Sequence, residues 1–184
     1  LTFPLFVKPA RSGSSRGTTK VKQKSELAAA VNIALEFDTK VIIEQSVVGK
    51  EIECAVLQAD GKLTVSQVGQ ILLSDKFEFY DFQAKYLDNS MQLVVPADLP
   101  AGVEAKIQQA ALTAFKAAGC EGLARIDFFY SDQGEIIINE INTMPGFTPT
   151  SVYPKLIEKS GITYQQLITK LIQTAQNRSL SITR

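Results

Sequence analysis

Two strand-like segments joined by a short turn constrain this chain more than anything else in it. Gly122-Leu-Ala-Arg-Ile-Asp-Phe-Phe-Tyr130 and Glu135-Ile-Ile-Ile-Asn-Glu-Ile-Asn142 flank Ser131-Asp-Gln-Gly134, a turn-forming stretch, and together read as a hairpin. With Gln133-Gly134 as a two-residue loop, Asp127 faces Glu140 and Arg125 faces Asn142. Side chains alternate along a strand, so these four project from one face. Two opposed carboxylates repel each other unless positive charge lies between them. A hard cation held by oxygen donors fits, because Mg²⁺ takes one or two carboxylates together with substrate phosphates. The alternative is a solvated polar face in which Arg125 neutralises the acids, and a one-residue slip of register would scatter the set. Asn139 then falls on the apolar face, with no evident reason for an amide there.

The rest of the chain reads as short strands and amphipathic helices. Strands are expected at Leu5 to Lys8, Thr18 to Val21, Val41 to Glu44 and Glu51 to Leu57, the last returning at Asp60-Gly61 through Leu63 to Val68. Ser25 is the expected N-cap of a helix through Phe37 with Leu27, Val31, Ala34 and Leu35 on its apolar stripe. A second helix runs from about Gly102 to Ala118, with Ile107, Ala111, Ala114, Phe115 and Ala118 at helical spacing. The last helix opens on a Thr163/Gln166 capping box and shows Tyr164, Leu167, Ile168, Leu171, Ile172 and Ala175 on one side. Residues 75 to 89 have no clean period, and a loop of that length in a compact domain is usually either functional or disordered. We expect it to be a lid. A subdomain boundary is expected near Ser46 to Lys50, giving units of residues 1–48 and 49–184.

What the chain lacks narrows its chemistry. It has no histidine, which excludes a Ser-His-Asp triad and any zinc site that needs imidazole. Nineteen basic and nineteen acidic residues cancel, so no overall field draws it to nucleic acid or an anionic membrane. Neither partner is expected. The two cysteines, Cys54 and Cys120, read as small core residues, which favours a reducing compartment. No apolar run is long enough to cross a membrane, so a soluble, cytoplasmic protein is expected. The chain starts without Met and enters a strand at once, as the middle of a longer protein would.

Lys8 ends the first strand, and Arg11-Ser-Gly-Ser-Ser-Arg-Gly17 follows it. Glycines let the backbone approach an anion closely and the serines add donors, although a flexible hairpin tip has the same composition. It is not a Walker A loop, since the lysine precedes the glycines and no helix opens after Gly17. Lys85 lies in the long irregular stretch. Cationic groups, an anion-cradling loop and a cation-holding hairpin together are the parts phosphoryl transfer needs.

Several blocks resemble the D-alanine:D-alanine ligase family of the ATP-grasp superfamily. They are Phe6-Val-Lys-Pro9 with Gly13-Ser-Ser15 and Gly17, Val41 to Gln45 with Gly49-Lys-Glu51, Tyr80-Asp81 with Ala84-Lys-Tyr86, Gly122 to Asp127, and Asn139-Glu-Ile-Asn-Thr-Met-Pro-Gly-Phe-Thr148. The likeness runs from about Phe3 to Arg178. It implies an α+β, ATP-grasp fold of two subdomains with mainly antiparallel sheets gripping ATP. It implies that Lys8 and Lys85 hold the phosphates, that Ser14 and Ser15 lie in the loop over them, and that Glu44, Gln45, Val47 and Glu51 line the adenosine site. Asp127, Glu140 and Asn142 would bind two Mg²⁺ ions, with Mn²⁺ as a substitute. Arg125 and the backbone of Gly146 would stabilise an oxyanion, Ser14 and Tyr86 would meet across the closed site, and Ser151 and Val152 would grip the carboxylate of the second D-alanine. The implied reaction joins two D-alanines through an acyl phosphate for peptidoglycan precursor synthesis. D-lactate or D-serine as second substrate is the near alternative, and a nucleotide-binding module without turnover the distant one. Arg16 departs from the family pattern, which has a small apolar residue there. Set beside the family, this sequence is expected to be a piece without the N-terminal substrate domain, inactive and monomeric by itself, with the complete protein expected to be a homodimer.

Overall fold

The long strand-forming segment Gly49–Ala59, with six consecutive buried residues from Ile52 to Leu57, organises the larger part of the protein. The computed structural model describes residues 1–73 and 91–178. The chain divides into two compact units, Leu1–Val48 with Leu72–Gln92 and Gly49–Ile71 with the chain from Leu93 onward, so a break falls after Val48 but a later segment, expected in the second unit, is counted with the first. The expected lid, with Lys85 and Tyr86, lies outside the described residues.

In the first unit β1 (Leu5–Pro9) is the middle strand of an antiparallel sheet, flanked by β2 (Thr19–Val21) and β3 (Val41–Gln45). Leu5, Val7 and Val21 turn inward onto Ala30 and Ala34 of helix α1 (Leu27–Leu35), whose small side chains bring helix and sheet close. Alternation therefore puts Phe6 and Lys8 on the opposite face, with Lys20 and Glu44 directly across from Phe6. Ser25 does not cap this helix. It sits inside a single 3₁₀ turn, Lys24–Glu26, so the α-helix begins two residues later and its cap, Glu26, makes no side-chain capping bond. Leu35, expected on the buried stripe, is half exposed, because the helix ends there and Ala30 takes the inward position.

In the second unit β4 (Gly49–Ala59) pairs along most of its length with β8 (Leu123–Ser131), and β8 with β9 (Ile136–Asn142), all antiparallel. The other edge of β4 is shared: Val56 to Ala59 pair with β5 (Lys62–Val65), and Glu51 to Glu53 with β6 (Gly69–Leu73), beyond which lies β7 (Met91–Val94). The return strand expected from Leu63 to Val68 thus ends at Val65, and the next strand starts only at Gly69, beyond the expected range. Ser66 causes the break: its hydroxyl accepts from Ala55 N–H at 2.9 Å, replacing a ladder bond. Helix α2 (Val103–Ala117) buries Ile107, Ala111, Ala114 and Phe115 against Ile52, Cys54, Val56, Ile126 and Phe128. Ala118 is only its C-cap and stays exposed. Helices α3 (Val152–Lys159) and α4 (Tyr164–Asn177) also contact β4, and Tyr153 O–H donates to Val56 C=O at 3.1 Å. The expected capping box forms, with Thr163 and Gln166 each bonding the other's backbone N–H. Of the apolar side of α4, only Leu167 is fully buried, and Ile172 is half exposed. Both cysteines are free, and burial pushes the Cys54 thiol up to about 12.

Candidate functional site

The hairpin places Asp127 opposite Glu140 and Arg125 opposite Asn142, so the four side chains share a face as alternation requires. The route differs from the one expected. The loop has three residues, 132 to 134, closed by Ser131 N–H donating to Glu135 C=O, and pairing from Tyr130↔Ile136 to Phe128↔Ile138 is offset by one from the two-residue geometry. The register then shifts between Asp127 and Phe128, leaving Asn139 as the extra residue of a β-bulge. That shift brings Glu140 opposite Asp127. It also lets Ile136 and Ile141, an odd number of residues apart, both pack on the core, which accounts for the amide of Asn139.

Arg125 is the hub of this face. Its Nε and Nη2 donate to the two oxygens of Asp127, each at 2.7 Å, and Nη2 lies 3.9 Å from Glu140 Oε1. A third carboxylate, Glu53, was not anticipated: its Oε2 lies 3.0 Å from Arg125 Nε, and its side chain is 6% exposed. Glu53 pairs with Asp127 across β4 and β8, so Glu53, Asp127 and Glu140 form a row over three adjacent strands. The sequence did carry a signal for it. Ile52 to Leu57 is buried on both faces, and an acid inside such a run needs a charged partner. Burial opposes the charge of the guanidinium, but the pull of Asp127 and Glu53 outweighs it, so Arg125 holds its proton more firmly than an ordinary arginine.

The loop after β9 is tied down locally. Asn142 Oδ1 accepts from Met144 N–H at 3.1 Å, which fixes the amide with its oxygen already in use once. Ser151 Oγ meets Thr148 N–H and Thr148 Oγ1, each at 2.9 Å, and a Cβ on Gly146 would sit 2.7 Å from Ser151 Oγ. Gly146 and Ser151 thus fit together only because one lacks a side chain. Phe147 packs against Tyr153 and Tyr164, and Tyr164 O–H donates to Phe147 C=O at 3.1 Å. Val152 begins α3, so its backbone N–H is in the first turn of a helix, where anions are favoured.

In the first unit Lys8 Nζ lies 2.6 Å from Glu44 Oε1, their side chains 19% and 36% exposed. Ser14 and Ser15 are both held at positive φ, +57° and +55°, with Arg16 N–H donating to Gly13 C=O at 3.3 Å. Serine in that conformation is strained by about 1 kcal/mol or more, and such strain concentrates at ligand-holding loops. The start of the loop is anchored by a two-pronged Arg11–Asp38 ion pair, and its end by Gly17, where a Cβ would sit 2.5 Å from Phe37 Cδ2. The Arg16 guanidinium lies over the same Phe37 ring, 5.4 Å from its centre. Gln45 accepts from Thr2 N–H at 3.4 Å, Val47 lies just past β3, and Glu51 is on β4 in the second unit.

Residues 1–173 match the family described as D-ala D-ala ligase C-terminus. The chain belongs to that family. It is 50% identical to the D-alanine--D-alanine ligase of Arthrobacter sp. (strain FB24), over 99% of this chain and 49% of that protein. Identity to the D-alanine--D-alanine ligase of Shouchella clausii (strain KSM-K16) is also 50%, over 97% of this chain and 48% of that protein. The chain therefore spans about half the length of the relatives it matches. Among solved structures, VanG D-Ala:D-Ser ligase from Enterococcus faecalis superposes with TM-score 0.81 at 47% identity, covering 95% of this chain and 50% of that one. The D-alanyl-alanine synthetase A of Vibrio cholerae gives the same TM-score at 36% identity, covering 94% and 53%. The ligase-family chain has the ATP-grasp fold of these enzymes. Among its described residues no helix is long and apolar enough to cross a membrane.

Proposed function

We propose that this chain is the ATP-binding and catalytic portion of a D-alanine:D-alanine ligase. The observation that carries the reading is the Arg125–Asp127 pair facing Glu140 and Asn142 on one hairpin. The first D-alanine carboxylate would attack the γ-phosphorus of ATP, releasing ADP and forming D-alanyl phosphate. The amine of the second D-alanine then adds to that carbonyl, and phosphate leaves from the tetrahedral oxyanion. Arg125, held cationic, stabilises the developing negative charge together with the Gly146 N–H. Lys8 and the Ser14–Ser15 turn orient phosphates, while Ser151 and the Val152 N–H position the second carboxylate.

Asp127, Glu140 and Asn142 present hard oxygen donors, two of them anionic, which suits Mg²⁺ better than a softer metal. Among the described residues no three acidic or thiol side chains are grouped closely enough to hold a metal unaided, so substrate oxygens would complete the shell of the two proposed ions. Bound there, Mg²⁺ or Mn²⁺ would neutralise charge on the transferring phosphoryl group. On this reading the complete enzyme is a cytoplasmic homodimer.

The test is phosphate release by the protein with ATP, Mg²⁺ and D-alanine, with the dipeptide identified by mass. Release that depends on D-alanine supports the ligase. Nucleotide binding without such release would make the chain a binding module. The likeness to a D-Ala:D-Ser ligase favours one second reading, checked by adding D-serine and weighing the mixed dipeptide against D-alanyl-D-alanine.

A further inference from the structure

We infer that Glu53 is the positioning residue of Arg125, the group that keeps the guanidinium in place when the charge of Asp127 is drawn to a bound cation. The inference rests on the proposed reaction and adds a residue to it. Arg125 has one hydrogen on Nε and gives it to Asp127 Oδ1, while Nη2 donates to Asp127 Oδ2. Both oxygens of Asp127 are therefore committed to the arginine. If Asp127 also holds a cation, its pull on Arg125 weakens, and a guanidinium 13% exposed cannot turn to water for compensation. Glu140 is 45% exposed and 3.9 Å away, too distant to bond and on the cation's side. Glu53 differs on both counts. Its Oε2 already lies 3.0 Å from Nε, its side chain is as buried as its partner's, and its backbone is fixed in the ladder opposite Asp127. Because both oxygens lie within 3.0 Å of the same Nε, a slight tilt of the planar guanidinium turns its Nε–H from Asp127 toward Glu53 and transfers the anchor without displacing the side chain from the site.

The test has two readouts, one of which needs no turnover. In the ¹⁵N-labelled protein the Arg125 Nε–Hε signal, assigned by its disappearance in Arg125→Lys, should be visible and slow to exchange. It should persist when Mg²⁺ and ADP are added. In Glu53→Gln the signal should broaden or exchange rapidly on that addition, and kcat should fall about tenfold to a hundredfold, the loss expected for a charge-assisted hydrogen bond, with KM for ATP within about twofold. Glu53→Asp, which keeps the charge but retracts it, should fall between. An unchanged Arg125 signal and kcat in Glu53→Gln would overturn the inference, as would equal losses in kcat and in ATP binding, which indicate a structural role. If Glu53→Gln does not fold, Glu53→Asp decides through the same signal. A wild-type protein with no ligase activity would sink the proposed function and leave the Arg125 signal to judge Glu53 separately.

Discussion

Lys8 Nζ sits 2.6 Å from Glu44 Oε1 across β1 and β3, on the sheet face that α1 leaves uncovered. Two roles are compatible with that contact, and they separate by ligand. A lysine that orients phosphate should matter for ATP and hardly at all for adenosine. Lys8→Ala is expected to weaken ATP binding by about tenfold or more, with adenosine within about twofold, by calorimetry. Equal losses would assign Lys8 to the sheet.

Asp127→Asn and Glu140→Gln should each reduce Mg²⁺-dependent nucleotide binding by at least about the tenfold to hundredfold that losing a supporting partner costs a metal site. Asn142→Ala should cost less, since no charge is lost. Nucleotide titrations with and without Mg²⁺ read the difference. If the three variants lose affinity equally in the absence of metal, the hairpin does not hold the cation.

The expected loop and the observed one teach how much was legible. The pairing of Asp127 with Glu140 could be read from sequence, yet it arises because two one-residue departures cancel: a three-residue turn and a bulge at Asn139. Turn length is set by backbone geometry that Ser131-Asp-Gln-Gly134 leaves open, and only the misplaced amide hinted at the bulge. Helix positions survived better, since Ile107, Ala111, Ala114 and Phe115 all face the core. Helix starts did not, as Ser25 shows. An acid inside the run Ile52 to Leu57 signals that Glu53 needs a charged partner, but which partner depends on a strand far away in sequence, and no local spacing encodes that.

Gly146→Ala should destabilise the protein by about 1 to 3 kcal/mol, because the new methyl meets Ser151 Oγ at 2.7 Å. Ser151→Ala removes that atom along with two contacts to Thr148, and the next nearest atom, Ser151 Cβ, is at 3.6 Å. The double variant should therefore be more stable than the two single losses sum to. Thermal or urea unfolding of all four forms measures the coupling, and strict additivity would refute the close-packed pair.

Acid should loosen the start of the glycine loop. The hydrogen bonds and charge of Arg11 hold the Asp38 carboxyl well below the usual carboxylate range. A group whose folded pKa is depressed contributes stability that is complete above its unfolded pKa, about 3.9, and disappears as pH falls toward the folded value. Asp38→Asn should lack that component, so its stability should fall less steeply than wild type below about pH 4. Identical slopes would show that the pair is fully screened by water.

A thiol reagent should distinguish the cysteines. Cys54 is fully buried beside Ser66 with its thiol pushed up to about 12, whereas Cys120 is partly accessible. One equivalent should react in the folded protein and the second only on unfolding. Two fast equivalents would contradict the packing of β4.

The sharing of β4 among three partners has a consequence for how the protein comes into being. Local closure of β8 onto β9 can unite Asp127 and Glu140 early, but Glu53 reaches them only when chain segments remote in sequence have met. Closing so large a loop costs entropy before any contact repays it, which makes this step slow. The ion cluster should therefore be born incomplete, a hairpin with an arginine and two acids, and acquire its third carboxylate last. A nascent chain released before β8 emerges carries Glu53 without Arg125 to neutralise it, an acid within the buried run Ile52 to Leu57 that disfavours premature collapse around β4.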